Sequence, residues 1–112
     1  MTINSVILVG NVTADPRKGK AGETPFIEFG IAVNEFRGGE EVANFFDCTI
    51  YGKRAVSLAD LVKKGQRVAI LGRLRQDRWK TEDEKTRTKV SIVVNDLEFM
   101  SAKAADNEPL PW

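Results

Sequence analysis

Apolar and polar positions along the chain change period several times, and each change marks an element. Residues 5–12 form a nearly continuous apolar run ending in Gly10-Asn11-Val12, which predicts a buried strand bent or bulged at the glycine. Asp15-Pro16 breaks it, and residues 17–24, rich in Lys and Gly, read as a loop. Over residues 26–35 the alternation is regular: Ile27, Phe29, Ile31 and Val33 share one row, and Glu28, Gly30, Ala32 and Asn34 share the other. That is the pattern of a half-buried strand. A turn at 36–41 around Gly38-Gly39 leads into a strand over 45–53, and the pair predicts a hairpin. In this second strand Phe46, Cys48 and Ile50 make an apolar row, while Phe45, Asp47, Thr49, Tyr51 and Lys53 make the opposite one.

Between residues 54 and 64 the period lengthens, because Leu58, Leu61 and Val62 fit one face of a short helix. Gly65 is placed to cap its C-terminus, with Lys63 and Lys64 in the last turn; its start is either at Ser57, which with Asp60 resembles a capping box, or already within residues 54–56. A strand over 67–79 puts Val68, Ile70 and Leu74 on one row and Arg73, Arg75 and Trp79 on the other, with a bulge expected at Gly72. Residues 80–89 are charged and Thr-rich, either a loop or the exposed arm of a long hairpin. Residues 90–94 are the last clear strand, with Leu97 and Phe99 adding a packed stretch. Residues 101–112 read as a flexible tail.

Five strands with one helix between the third and fourth, in about a hundred residues, predict an all-β fold: a five-stranded Greek-key barrel of the OB type. The expected organisation is one domain over 1–100 followed by a tail over 101–112. The charge is nearly balanced, 17 Lys and Arg against 16 Asp and Glu, but residues 63–89 hold ten basic against four acidic groups. Positive charge is therefore concentrated on one section of the chain. The single cysteine, Cys48, lies on an apolar row and reads as a packed thiol. No apolar run approaches the ~20 residues of a membrane span, and the N-terminus lacks the features of a signal peptide, so a soluble, cytoplasmic protein is expected. There is no histidine, no cysteine cluster and no phosphate-binding glycine loop, so no enzyme, metal or cofactor is expected.

The candidate chemistry lies on the non-core rows. Phe45, Tyr51 and Trp79 fall on the outward rows of two strands, and Phe36 extends the outward row of Asn34. Lys53, Arg73, Arg75 and Arg78 are interleaved with them, and Arg87 and Lys89 follow. Aromatic rings stack on nucleobases of any identity while cations neutralise phosphates, so such a surface suits single-stranded nucleic acid. A subunit interface is the rival use for the same rings.

Several segments together resemble the bacterial and phage single-stranded DNA-binding proteins of the OB-fold type. They are Val6-Ile7-Leu8-Val9-Gly10-Asn11 with Asp15-Pro16, Ala32-Val33-Asn34, Ile50-Tyr51-Gly52-Lys53, Leu61-Val62-Lys63-Lys64-Gly65, and Gly72 through Trp79. The resemblance implies stacking of DNA bases on Phe45, Tyr51 and Trp79, with Phe36 near another such position and Lys53, Arg73 and Arg75 in the basic setting. It also implies a homo-oligomer, tetramer or dimer, with the N-terminal strand in the interface.

Cellular members of that family end in a Gly-, Gln- and Pro-rich linker and an acidic tip closing in Ile-Pro-Phe, which docks replication, recombination and repair proteins. Here the linker is nearly absent and the ending is Asp106, Glu108, Leu110, Pro111 and Trp112, a compact form more similar to phage members. The expected function is sequence-tolerant binding and protection of single-stranded DNA, with a C-terminal tip that recruits partners. The alternative is a primosomal-type OB-fold accessory in which the same face grips a protein.

Overall fold

The computed structural model describes residues 2–100, and the tail residues Asp106, Glu108, Leu110, Pro111 and Trp112 lie outside the described residues. The elements are β1 (Val6–Val12), β2 (Arg17–Ala21), β3 (Thr24–Arg37), β4 (Glu40–Tyr51), α1 (Lys53–Leu58), β5 (Arg67–Lys80) and β6 (Thr86–Phe99). They form one sheet in the order β1-β5-β6-β4-β3-β2, and β1 pairs a second time with β3. That second pairing closes β1, β5, β6, β4 and β3 into the expected five-stranded barrel, with β2 attached outside it along β3.

Closure depends on β1 serving two partners. Val6 to Asn11 pair with β5, whereas Asn11 and Val12 pair with β3. Gly10 sits at the crossover, where an added Cβ would lie 2.6 Å from the Ala32 carbonyl oxygen. No other residue lets the two backbones approach so closely. The predicted bend at this glycine is thus a barrel corner. Gly72 plays the corresponding part in β5: the β5–β6 register shifts between Leu71 and Gly72, and a Cβ there would meet the Val93 carbonyl oxygen at 2.3 Å.

The interior holds Val12, Ile27, Phe29, Ile31, Cys48, Ile50, Val68, Ile70, Ile92, Val94 and Leu97, all buried. Strand β1, expected to be buried, is covered on one row only and leaves Ile7 and Val9 exposed, and two residues expected on core rows of other strands, Phe46 and Leu74, depart from the interior as well. Phe46 is 37% exposed and Leu74 is 46% exposed, because both lie where their strands leave the barrel and continue as two-stranded arms. One arm is the β3–β4 ribbon, turned by Gly38 and Gly39 at φ of 56° and 86°, which suits the two-residue hairpin turn. The other is the β5–β6 ribbon, which resolves residues 80–89 as the arm of a long hairpin, turned at 81–85.

Three local expectations are corrected. Residues 17–21 are strand β2 instead of loop, registered on β3 with Arg17 opposite Glu28 and an ion pair of 3.0 Å between them. The helix is only six residues and starts at Lys53, so Ser57 lies in its last turn and forms no capping box; Gly65 belongs to a later turn, at φ 90°. Its buried positions are Ala55, Ala59 in the following turn, and Val62, whereas Leu61 is exposed. Small residues let this segment lie close against the barrel end, and the 54–64 pattern mistook Leu61 for part of that face.

Candidate single-strand binding face

Alternation sets which side chains leave the barrel. With Ile27, Cys48, Ile50 and Ile92 inside, the outward rows of four adjacent strands run in the order β3, β4, β6, β5. On β3 the row is Phe26, Glu28, Gly30, Ala32, Asn34 and Phe36, and on β4 it is Tyr51, Thr49, Asp47 and Phe45, with Phe26 opposite Tyr51 and Ala32 opposite Phe45. On β6 it is Val93, Ser91, Lys89 and Arg87, opposite Arg73, Arg75, Asp77 and Trp79 of β5. The middle of this face is small and buried, with Thr49, Ser91 and Val93 as its floor. Larger aromatic and basic side chains surround it.

Phe45 is 72% exposed, Phe36 78% and Trp79 47%. Rings left in water at this level cost the fold hydrophobic free energy that burial would recover, about 25 cal/mol for each Å² of apolar surface. Phe36 and Trp79 stand on the two arms, and Phe45 and Tyr51 stand on β4, so the four rings span the face. Tyr51 is held differently. Its ring packs against Phe26 at 5.9 Å between centroids and 56° between planes. The Arg75 guanidinium lies 5.6 Å from the ring centroid, and its Nη1 donates to the Tyr51 hydroxyl. That bond is the main reason the Arg75 pKa is raised, so this cation stays charged at any working pH.

The acids on the face are engaged by cations. Asp47 is 3.2 Å from Lys89 Nζ, Glu28 is 3.0 Å from Arg17, and Asp77 is 3.5 Å from Arg75 Nε. Exposed pairs of this kind contribute only about 0–1 kcal/mol to stability; their consequence is that little free negative charge faces an approaching phosphate. A shallow hollow of about 200 Å³ opens among Arg17, Glu28, Gly30, Asp47 and Lys89. The Ser91 hydroxyl and Arg75 Nε are buried without hydrogen-bond partners among the described residues. Arg75 and Ser91 stand opposite one another in register.

Most of the expected site residues therefore share one surface: Asn34, Phe36, Phe45, Tyr51, Arg73, Arg75, Trp79, Arg87 and Lys89. Two do not fit the expected rows. Lys53 is not on the β4 row, because β4 ends at Tyr51, Gly52 turns the chain at φ 84°, and Lys53 opens α1. Arg78 has the opposite parity from Trp79, and its guanidinium bonds Gln76 Oε1 at 3.1 Å on the far side of the ribbon. Phe26 was overlooked as part of the face. The signal was present, since it shares the even-numbered row of Asn34 and Phe36.

Cys48 is fully buried, and burial pushes its thiol up to about 12. No group of three or more His, Cys, Asp or Glu among the described residues could hold a metal ion. No helix among them is long and apolar enough to cross a membrane.

Comparison with known proteins gives this surface a context. The model of the single-strand binding protein family matches residues 3–100. A protein named single-stranded DNA-binding protein 2 from Chlorobaculum tepidum is 34% identical over 113 residues, covering 95% of this chain and 76% of that one. Single-stranded DNA-binding protein 1 of a Synechocystis species is also 34% identical, covering 96% of this chain and 92% of that one. Among solved structures, a Plasmodium falciparum SSB in complex with ssDNA superposes with a TM-score of 0.81 at 24% identity, over 90% of this chain and 97% of that one, which shows a shared fold. By the family model and these relatives, the chain belongs to the single-strand binding protein family.

Proposed function

We propose that this protein binds single-stranded DNA without sequence preference and protects it during replication, recombination or repair, as a non-catalytic coat. The observation that carries the reading is the four-strand outward face, where exposed Phe36, Phe45 and Trp79 alternate with Arg73, Arg87 and Lys89 around a small-residue floor. Relatives named as single-stranded DNA-binding proteins support it.

Bases unstacked from one another lay their faces on Phe45, Tyr51 and Trp79, each contact worth about 1–3 kcal/mol. Duplex DNA hides those faces inside its own stack, so the surface selects single strands. Phosphates between the bases are met by Arg73, Arg87 and Lys89. Arg75 exchanges its contact with the Tyr51 hydroxyl for a phosphate or base oxygen, which frees the Tyr51 ring.

A homo-oligomer belongs to the same proposal. Ile3, Ile7, Val9 and Leu71 are exposed, and Ile7 stands opposite Leu71, an apolar strip on the side formed by β1 and β5. The tail from Asp106 to Trp112 is proposed to recruit partner proteins, with an acidic and aromatic tip suited to a basic groove. The protein acts in the cytoplasm, with no cofactor.

Titrating labelled oligo-dT into wild type, Phe45→Ala and Trp79→Ala tests the central part. Each variant is expected to lose about 1–3 kcal/mol of affinity with the fold intact by circular dichroism. Wild-type affinity in both variants would remove these rings from the site and favour the accessory-module alternative.

A further inference from the structure

Beyond the sheet face lies a second feature with no assigned use. A groove of about 280 Å³ separates the β2–β3 hairpin from α1, with Phe26, Ile27, Ala55 and Val56 among its walls and Lys18 and Lys20 on its rim. We infer that this groove is a further nucleotide subsite, and that the single strand passes from the Tyr51 platform over Phe26 and round the β2–β3 ribbon into it. The inference rests on the single-strand reading above and extends its path.

Continuity is the first argument. Phe26 packs against Tyr51 on the outward face of β3, and its chain neighbours Pro25 and Ile27 wall the groove on the opposite face. Its ring reaches over β2 because residue 19 is glycine: an added Cβ there would lie 2.5 Å from the ring's Cζ and 2.9 Å from Cε1. Gly19 stands opposite Phe26 in register. The ring therefore extends the stacking face as far as β2, and a strand leaving Tyr51 in this direction meets it before crossing the ribbon to the groove.

Charge is the second argument. The acid that lines the groove, Asp60, is 3.5 Å from Lys18 Nζ across it. Lys20 has no ion-pair partner among the described residues. Cations on the rim above an apolar floor match a nucleotide, whose base is apolar on its faces and whose phosphate is anionic. An apolar peptide or a second copy of the chain would use the floor but leave Lys20 unmatched.

Two oligo-dT probes separate this inference from the reading it rests on. One of about 4 nucleotides covers the sheet face alone, and one of about 12 reaches the groove, both within the range for a single OB fold. Val56 is 63% exposed, so Val56→Glu places a carboxylate in the groove without disturbing the core, and an unchanged Tm confirms that. The expected result is about a tenfold loss for the longer probe with the shorter one held within about twofold. Lys20→Ala should flatten the salt dependence of the longer probe by about 0.7 in log–log slope, the value for one phosphate contact on a single strand.

If both variants bind the longer probe like wild type while wild type still binds the shorter one, the groove lies off the path and only this inference fails. If Val56→Glu instead changes the sedimentation of the free protein and leaves DNA binding intact, the groove is a self-association surface and the inference is overturned. Should wild type bind neither probe, the single-strand reading falls together with it.

Discussion

At the scale of single residues, the molecule separates rings that build the fold from rings that do not. Phe29 is buried, whereas Phe45 and Phe36 stand in water on adjacent strands. The face cations divide by task as well. Arg73→Ala is expected to reduce the salt slope of single-strand binding by about 0.7, and Trp79→Ala to leave that slope unchanged while weakening affinity; titrations at three salt concentrations distinguish the two. Arg78→Ala, directed to the other side of its ribbon, should leave the slope near wild type. Cys48 gives a prediction of a different kind. Its thiol rises from an ordinary 9.0 to about 12 on folding, so between those values the unfolded chain loses a proton that the native protein keeps. Native stability therefore falls as pH rises through that window, and at pH 8 an alkylating reagent should modify Cys48 only after denaturant is added. Rapid modification of the native protein would contradict the burial. Parity in the sequence was enough to place Phe45, Tyr51, Arg73, Arg75 and Trp79 on outward rows. It could not show that Arg75 is bonded to Tyr51, since β4 and β5 are separated by β6 in the sheet and no local pattern encodes that meeting.

At the scale of elements, two glycines set the barrel's corners and one short strand was hidden by its composition. Gly72→Ala drives a methyl group against the Val93 carbonyl, and overpacking of this kind costs about 1–3 kcal/mol. A lowered Tm with the midpoint of chemical unfolding shifted in parallel is the expected outcome; an unchanged Tm would mean that β5 relaxes freely at its bulge. Residues 17–21 carry lysines and a glycine and no apolar alternation, which is the signature of a loop. They become strand only because the β3 edge and the turn at Gly22, with φ of 64°, supply pairing from Arg17–Glu28 to Ala21–Thr24. Tertiary pairing overrides propensity there. The helix was misjudged for the opposite reason. Leu61 fitted a helical period in sequence, but the chain leaves α1 after Leu58 and keeps Val62 in the core through a turn. The β3–β4 arm was legible as a glycine-punctuated hairpin and residues 80–89 as either a loop or a hairpin arm, but the point where each arm leaves the barrel was not legible, and so Phe46 and Leu74 were placed in a core that ends before them.

At the scale of the whole molecule, the barrel presents two unlike surfaces. One is aromatic and basic, across β3, β4, β6 and β5; the other is apolar, along β1 and β5 around Ile7 and Leu71. If the second holds subunits together, Ile7→Glu combined with Leu71→Glu should shift the protein to a smaller species in sedimentation, and an unchanged species would remove that strip from any interface. The first surface follows the alternation seen in the sequence, whereas the second was hidden in the continuous apolar run of β1 and becomes legible only from its pairing with β5. The central claim is that the first surface binds single-stranded DNA through exposed base faces. Its most direct test is fluorescence anisotropy of a labelled oligo-dT bound at two salt concentrations and challenged with unlabelled duplex of equal length. The account predicts tight binding that weakens with salt and that duplex does not displace. Equal competition by duplex, or no saturable binding at low salt, would contradict it.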